Sequence, residues 1–160
     1  MGFRDGDGWV RCLCGQVHWG LHGAAGLLLV RTDTEPASVL LQLRAEWTHG
    51  GGTWALPGGA LDSHEDSFAA AAREAWEEAG IDPAALTFKA IFSDDHGNWR
   101  YDTVIAHATD DPGAHEANAE SDAIRWVPLD EVGEFELHPG LRRSWSELAD
   151  LVRSTLDGDA

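Results

Sequence analysis

The stretch GGALDSHEDSFAAAAREAWEEAGI, Gly58 to Ile81, decides how this chain is read. It is rich in alanine, stops at a glycine, and carries Glu74, Glu77 and Glu78 close to its C-terminal end. A helix C-terminus is electronegative, so each carboxylate placed there costs up to ~1 kcal/mol. Like charges spaced i,i+4 add a penalty of about a few tenths of a kcal/mol, and the cation within the same turn is Arg73. Hard divalent ions with oxygen ligands turn that repulsion into coordination. The cluster therefore points to a Mg²⁺ site, with Mn²⁺ as a substitute.

The boundaries of this helix are written locally. Ser63 to Asp66 spells S-x-x-D, a capping-box pattern that starts the helix near Ser63, and Gly80 is a natural residue to end it. At about 100° per residue, Phe68, Ala72, Ala75 and Ala79 fall within a narrow arc and form the expected buried stripe, with the three glutamates on the other side. The preceding Pro57-Gly58-Gly59 lets the backbone come close to a ligand, and Gly59 offers a carbonyl oxygen.

Working outward, residues 1–22 read as an N-terminal extension or hairpin. Ala24 to Arg31 and Ser38 to Arg44 read as strands, the first an apolar run suited to burial. The loop AEWTHGGGTWALPGG after them is expected to lack regular structure. LTFKAIFSDD and YDTVIAHA form two strands joined by HGNW, AIRWVPL another, and residues 139–157 a C-terminal helix with Leu141, Trp145, Leu148, Leu151 and Val152 at helical spacing. The 160 residues suit a single domain, 1–160, with a real core.

A formal net charge of −17 argues against a nucleic-acid backbone as partner, because such binding needs a basic stripe. A small phosphorylated metabolite is compatible if divalent cations stand between the charges. No apolar run approaches the ~18 residues of a membrane span, so no membrane partner is expected, and MGFRDGDGWVRC lacks a secretory signal, which makes the cytoplasm the expected location. Cys12 and Cys14, one residue apart, cannot build a disulfide framework; with His18 and His22 they spell C-x-C-x3-H-x3-H, donors enough for a tetrahedral zinc at unusually tight spacing. The alternative is buried thiols in a strand beside surface histidines.

Gly59, Glu65, Arg73, Glu74, Glu77, Glu78, Gly80 and Ile81 stand at the spacing of G-x5-E-x7-R-E-U-x-E-E-x-G-U, with U aliphatic. The chain thus resembles the Nudix hydrolases, with the small Ala75 at the first U position; WALPGG and RWVPLDEV look like further segments of that family. The resemblance implies an α/β fold, a mixed β-sheet sandwiched between helices, that cleaves nucleoside diphosphates linked to another group. It implies metal ligands at Glu74 and Glu78, Glu77 as a third, Arg73 holding Glu74 or a neighbour, and Glu65 steadying the loop. A later-loop acid is expected at Glu120, with Glu116 and Asp122 as competitors; either Glu74 or Glu120 serves as general base.

Signatures of relatives acting on NADH, coenzyme A and ADP-ribose are missing, and Tyr101 lies beyond the place that marks dinucleoside polyphosphate hydrolases. Elimination leaves a nucleoside triphosphate as the expected small-molecule substrate; ADP-ribose, a nucleotide sugar or a dinucleoside polyphosphate is the alternative. Trp47, Trp54, Trp99 and Tyr101 are candidates to clamp a base, His49 and His96 to touch phosphate, and Arg44 to bind it bidentately. Monomer and homodimer are both compatible with the sequence. A non-catalytic Nudix-fold binding module is disfavoured because no box glutamate is lost. Isopentenyl diphosphate isomerase chemistry would need an active-site cysteine near the sheet, and a mere acidic cation binder would release no phosphate.

Overall fold

The computed structural model describes residues 4–48 and 50–158. His49, one expected phosphate contact, lies outside them. In chain order the elements are β1 (Trp9–Arg11), β2 (Val17–Trp19), β3 (Ala24–Arg31), β4 (Ser38–Arg44), β5 (Trp54–Ala55), β6 (Gly58–Ala60), α1 (Ser67–Ala79), β7 (Thr87–Asp95), β8 (Arg100–Ala108), β9 (Ser121–Pro128) and α2 (Pro139–Asp157). Short 3-10 turns occupy Pro83–Ala85 and Leu129–Glu134.

Strands β3 to β9 form a seven-stranded mixed sheet, while β1 and β2 make a separate antiparallel hairpin. β3 is parallel to β8 along its whole length, from Ala24 beside Tyr101 to Arg31 beside Ala108. Against β4 it pairs only at Val30–Val39 and Arg31–Ser38. The two strands then diverge: β6 joins the free half of β3 at Ala24 to Gly26, and β9 runs along β4. This fork opens the sheet at the end that carries Gly58 and Gly59.

Successive side chains of a strand point to opposite faces, so the unbroken apolar run of β3 serves two cores. Leu27 and Leu29 pack with Ala70, Ala71, Ala75 and Ala79 of α1, whereas Leu28 and Val30 pack with Leu148 and Val152 of α2. The sheet is sandwiched between the two helices, as the sequence led us to expect.

Three local expectations need correction. Helix α1 begins at Ser67 and is capped by Asp66, whose side chain accepts from the Ala69 N–H; Ser63 instead donates its backbone N–H to Asp5. The buried face of α1 is Ser67, Ala70, Ala71, Ala75, Glu78 and Ala79, while Phe68 is exposed and meets Phe88 edge-on. Periodicity gave a stripe direction without knowing where the sheet lies, and the sheet selects the face one residue round. Finally, the glycine-rich loop contains β5 and β6, because Gly58 and Gly59 find backbone partners on β3 that no local pattern announces. Gly80 ends the helix as expected, at φ 69° in the left-handed region that glycine enters without a Cβ penalty.

Small residues on α1 let the helix sit close to the sheet, and Ala75 is fully buried. Ala75→Leu should therefore overpack the interface, cost ~1–3 kcal/mol and lower Tm by roughly 2–10 °C in calorimetry. Ala69→Leu, on the exposed face of the same helix, should leave Tm unchanged.

Candidate active site

Arg73 organises the acidic cluster. Its guanidinium holds Glu65 bidentately at 2.8 and 2.8 Å, Glu74 at 2.7 Å, and the Ala60 carbonyl at 3.0 Å, with Glu77 further off at 3.5 Å. Glu65 also accepts the Asp62 N–H at 3.0 Å, which ties the loop before the helix to the same network. The Arg73 guanidinium keeps the Glu65 carboxyl below its usual range despite burial. A residue that no motif marked, Arg4, pairs with Glu77 and, at 3.2 Å, with Asp62. Nothing in the sequence around Arg4 signals this contact.

Glu78 lies under the backbone of β6 and not on the outward face expected of it. It is 1% exposed, accepts the Gly58 N–H at 2.9 Å and is held by the Gln42 side-chain amide at 3.2 Å. Each of these oxygens keeps a lone pair with which to ligate. Burial, then the neighbouring Glu74 charge, pushes Glu78 well above the usual carboxylate range. Burial likewise raises Glu74, with Arg73 opposing and Glu77 and Glu120 reinforcing. Gly59 sits so near Glu74 that a Cβ there would lie 2.5 Å from its Oε1, so any side chain at this position would push the Glu74 carboxylate aside.

The orphan carbonyls at the end of α1 bring in the later loop. Ala117 N–H donates to Glu78 O at 3.1 Å, His115 N–H to Ala79 O at 3.0 Å, and the Ser121 hydroxyl to Glu78 O at 3.3 Å. Asn118 then fixes the Glu120 N–H at 2.9 Å, and Glu120 faces the cleft. Of its competitors, Glu116 is engaged by the Ile124 N–H at 3.1 Å and Asp122 is exposed on β9.

A cleft of about 1140 Å³ opens over this cluster. Among its walls are Gly58, Gly59, Glu74, Glu77 and Glu120, together with Arg44, Trp47, His96, Trp99 and Tyr101 from the expected binding set. Trp54 is not among them. It packs edge-on against Phe135, with its backbone bonded to Glu136 and His138, because β5 turns that ring toward the α2 side of the sheet. Trp9 and Trp19, which sequence reading passed over, reach the cleft from the hairpin in a T-shaped pair 5.0 Å apart. Burial, then the Glu78 charge, raises the Tyr101 hydroxyl.

The donor set suits a hard cation: carboxylates at Glu74, Glu77 and Glu120 and the Gly59 backbone face the cleft, with Arg73 paired to Glu74 and Glu77 and Arg4 to Glu77. The arginines draw Glu77 aside, while Gly58 and Gln42 hold Glu78. Carboxylates with such partners suit a hard divalent ion that keeps waters and substrate phosphates in its shell.

The NUDIX domain family matches residues 20–148. The chain belongs to the Nudix family. It is 47% identical over 152 residues to a Mycobacterium tuberculosis protein named "Putative 8-oxo-dGTP diphosphatase 3", covering 90% of this chain and 69% of that one. A Bifidobacterium longum protein named "Nucleoside triphosphate pyrophosphatase/Nudix hydrolase fusion protein" is 41% identical over 91% of this chain and 31% of its own. Among solved structures, the Nudix hydrolase RenU of M. smegmatis superposes with a TM-score of 0.86 at 44% identity, covering 93% of this chain and 96% of that one. This Nudix chain is thus a hydrolase of a family that generally uses divalent metal ions, and no helix among its described residues is long and apolar enough to cross a membrane.

Because Glu78 is raised in the folded state, its contribution to stability is present in full below its ordinary value of 4.5 and is lost as pH rises through the higher folded value. In metal-free protein, Glu78→Gln should raise Tm at about pH 8, an advantage that shrinks toward about pH 5. The new amide can donate to Gln42 Oε1, which has no hydrogen-bond partner among the described residues, once the Gln42 amide turns that oxygen toward it. Thermal melts in chelator across that range check it; a pH-independent difference would contradict it.

Proposed function

We propose that this Nudix hydrolase is a Mg²⁺-dependent pyrophosphohydrolase that cleaves a nucleoside triphosphate to monophosphate and pyrophosphate, using one domain spanning the chain. The observation that carries the reading is the shared cleft: Glu74, Glu77, Glu120 and the Gly58–Gly59 backbone face the same space as Arg44 and a set of aromatic rings. That combination serves a polyphosphate at one end and a base at the other. The name of the M. tuberculosis relative supports an oxidised guanine nucleotide as one substrate to test.

Glu74, Glu77, Glu78, Glu120 and the Gly59 carbonyl would hold the metal, which supplies Lewis-acid stabilisation of the phosphoryl oxygens when bound. Arg73 keeps Glu74 in one rotamer and shields part of the like-charge repulsion. Glu74, whose proton affinity is raised by burial, accepts the proton of the attacking water, with Glu120 as the second candidate. Water oxygen bonds to phosphorus, the phosphoanhydride P–O bond breaks, and pyrophosphate leaves with the electron pair. Arg44 orients phosphate, while Trp99 and Tyr101 stack the base, contacts worth ~1–3 kcal/mol per base in single-strand binders.

A panel of nucleoside triphosphates including 8-oxo-dGTP, ADP-ribose, nucleotide sugars and dinucleoside polyphosphates, assayed with Mg²⁺, tests the reading. Triphosphates should react fastest, releasing pyrophosphate. Glu77→Gln should lose most of that activity, and equal rates for variant and parent would remove the mechanism. Arg73→Lys should lower metal affinity or activity by ~10–100-fold, because a lysine cannot hold Glu65 and Glu74 together.

A further inference from the structure

We infer that the turn of the N-terminal hairpin and the β7–β8 turn together form a zinc site, with Cys12, Cys14, His18 and His96 as the four ligands. One ligand atom from each of these residues lies within 4.8 Å of all the others. The site is separate from the carboxylate cluster and rests on none of the nucleotide chemistry above.

The register of the hairpin explains how it is built. His18 pairs opposite Val10, and Cys12 lies two residues beyond Val10, so His18 and Cys12 share one face of the hairpin. Trp9 and Trp19 take the other face. Cys14 sits in the turn with Sγ 3.3 Å from His18 Nε2. The fourth member arrives from 84 residues away: the hairpin docks on the β7–β8 turn, where Asn98 accepts from the Leu13 N–H at 2.8 Å and donates to the Arg11 carbonyl at 2.9 Å. His96 then stands 4.8 Å from the His18 ring, and Cys12 Sγ lies 3.3 Å from the His96 carbonyl. The sequence pattern named His22 as the fourth donor, but His22 follows β2 outside this cluster.

The surroundings suit zinc. Two thiolates and two neutral imidazoles balance the ion's charge. The Cys14 N–H donates to Cys12 Sγ at 3.0 Å, which fixes that sulfur in the turn beside the two imidazoles. Asp94 contacts His96 Nε2 at 3.0 Å and Trp99 stacks on His18 at 4.0 Å, so both rings are held in place. Zinc bonds of ~2.0–2.3 Å give tetrahedral edges of roughly 3.3–3.8 Å, so the donors need to close by only about an ångström. Two strands of three residues each are too short to stand alone, and a metal clamp is a common remedy.

The structure joins Cys12 to Cys14 as a disulfide, where the sequence reading left both as thiols. A dithiol reductant transfers two electrons and two protons to this bond, leaving as its own disulfide and producing two thiols. Zn²⁺ then displaces the two thiol protons. His96 is thereby assigned to the clamp and not to phosphate.

The full chain, reduced and freed of metal under argon, is titrated with Co²⁺. One equivalent should produce the intense visible bands of tetrahedral cobalt with thiolate-to-metal charge transfer, and Zn²⁺ should bleach them stoichiometrically. Oxygen ligands at the carboxylate cluster give no charge transfer, so Glu74→Gln should show the same spectrum. His96→Ala and Cys14→Ser should lose it, and His22→Ala should keep it. Absence of charge transfer in the reduced native chain would overturn the site whatever the variants do. Retention in His96→Ala with loss in His22→Ala would overturn the ligand set.

Discussion

The guanidinium of Arg73 is the point where the loop, the helix and the acidic cluster are joined. It grips Glu65 before the helix, Glu74 on it and the Ala60 carbonyl of β6, all at 2.7 to 3.0 Å. The side chains concerned are largely shielded, at 17% exposure for Arg73, 7% for Glu65 and 13% for Glu74. Breaking a shielded pair by removing one partner costs about 3–5 kcal/mol, because the other charge is left without compensation. Without this cation, Glu65 and Glu74 would repel each other and β6 would lose its Ala60 anchor to α1, leaving the bond between Glu78 and Gly58.

That anchor matters because the sheet is forked. Strands β3 and β4 pair over two residues only, and the space they leave is filled by β6 from one side and β9 from the other. Glu78 reaches into the fork from α1 and bonds both branches, Gly58 on β6 and Gln42 on β4. A buried carboxylate is thus a strut across the opening. Its unfavourable charge is the reason the same residue suits a cation, since coordination relieves what burial and Glu74 impose.

Carboxylates at a helix C-terminus looked misplaced at the level of the dipole. The terminal carbonyls that make the position unfavourable accept from the loop of His115, Ala117 and Ser121, and this loop carries Glu120 to the cluster. Donors from that loop offset part of the negative end, so the local cost is converted into placement of a fourth acid. The aromatic wall has a comparable origin: Trp9 and Trp19 belong to a hairpin outside the main sheet and reach the cleft only because the hairpin docks on the β7–β8 turn.

Residue order by itself determined the strands from Ala24 to Arg31 and Ser38 to Arg44, the end of α1 at Gly80, and the grouping of Arg73, Glu74, Glu77 and Glu78, because periodicity, caps and motif spacing are local. Only tertiary structure decided which face of α1 is buried, that Glu78 lies beneath Gly58, that Trp54 turns away from the cleft, and that Arg4 meets Glu77. It also replaced His22 by His96 beside the two cysteines. These outcomes depend on contacts between residues far apart in the chain, fixed by sheet register and by where a helix or hairpin docks, and a one-dimensional pattern carries no record of either.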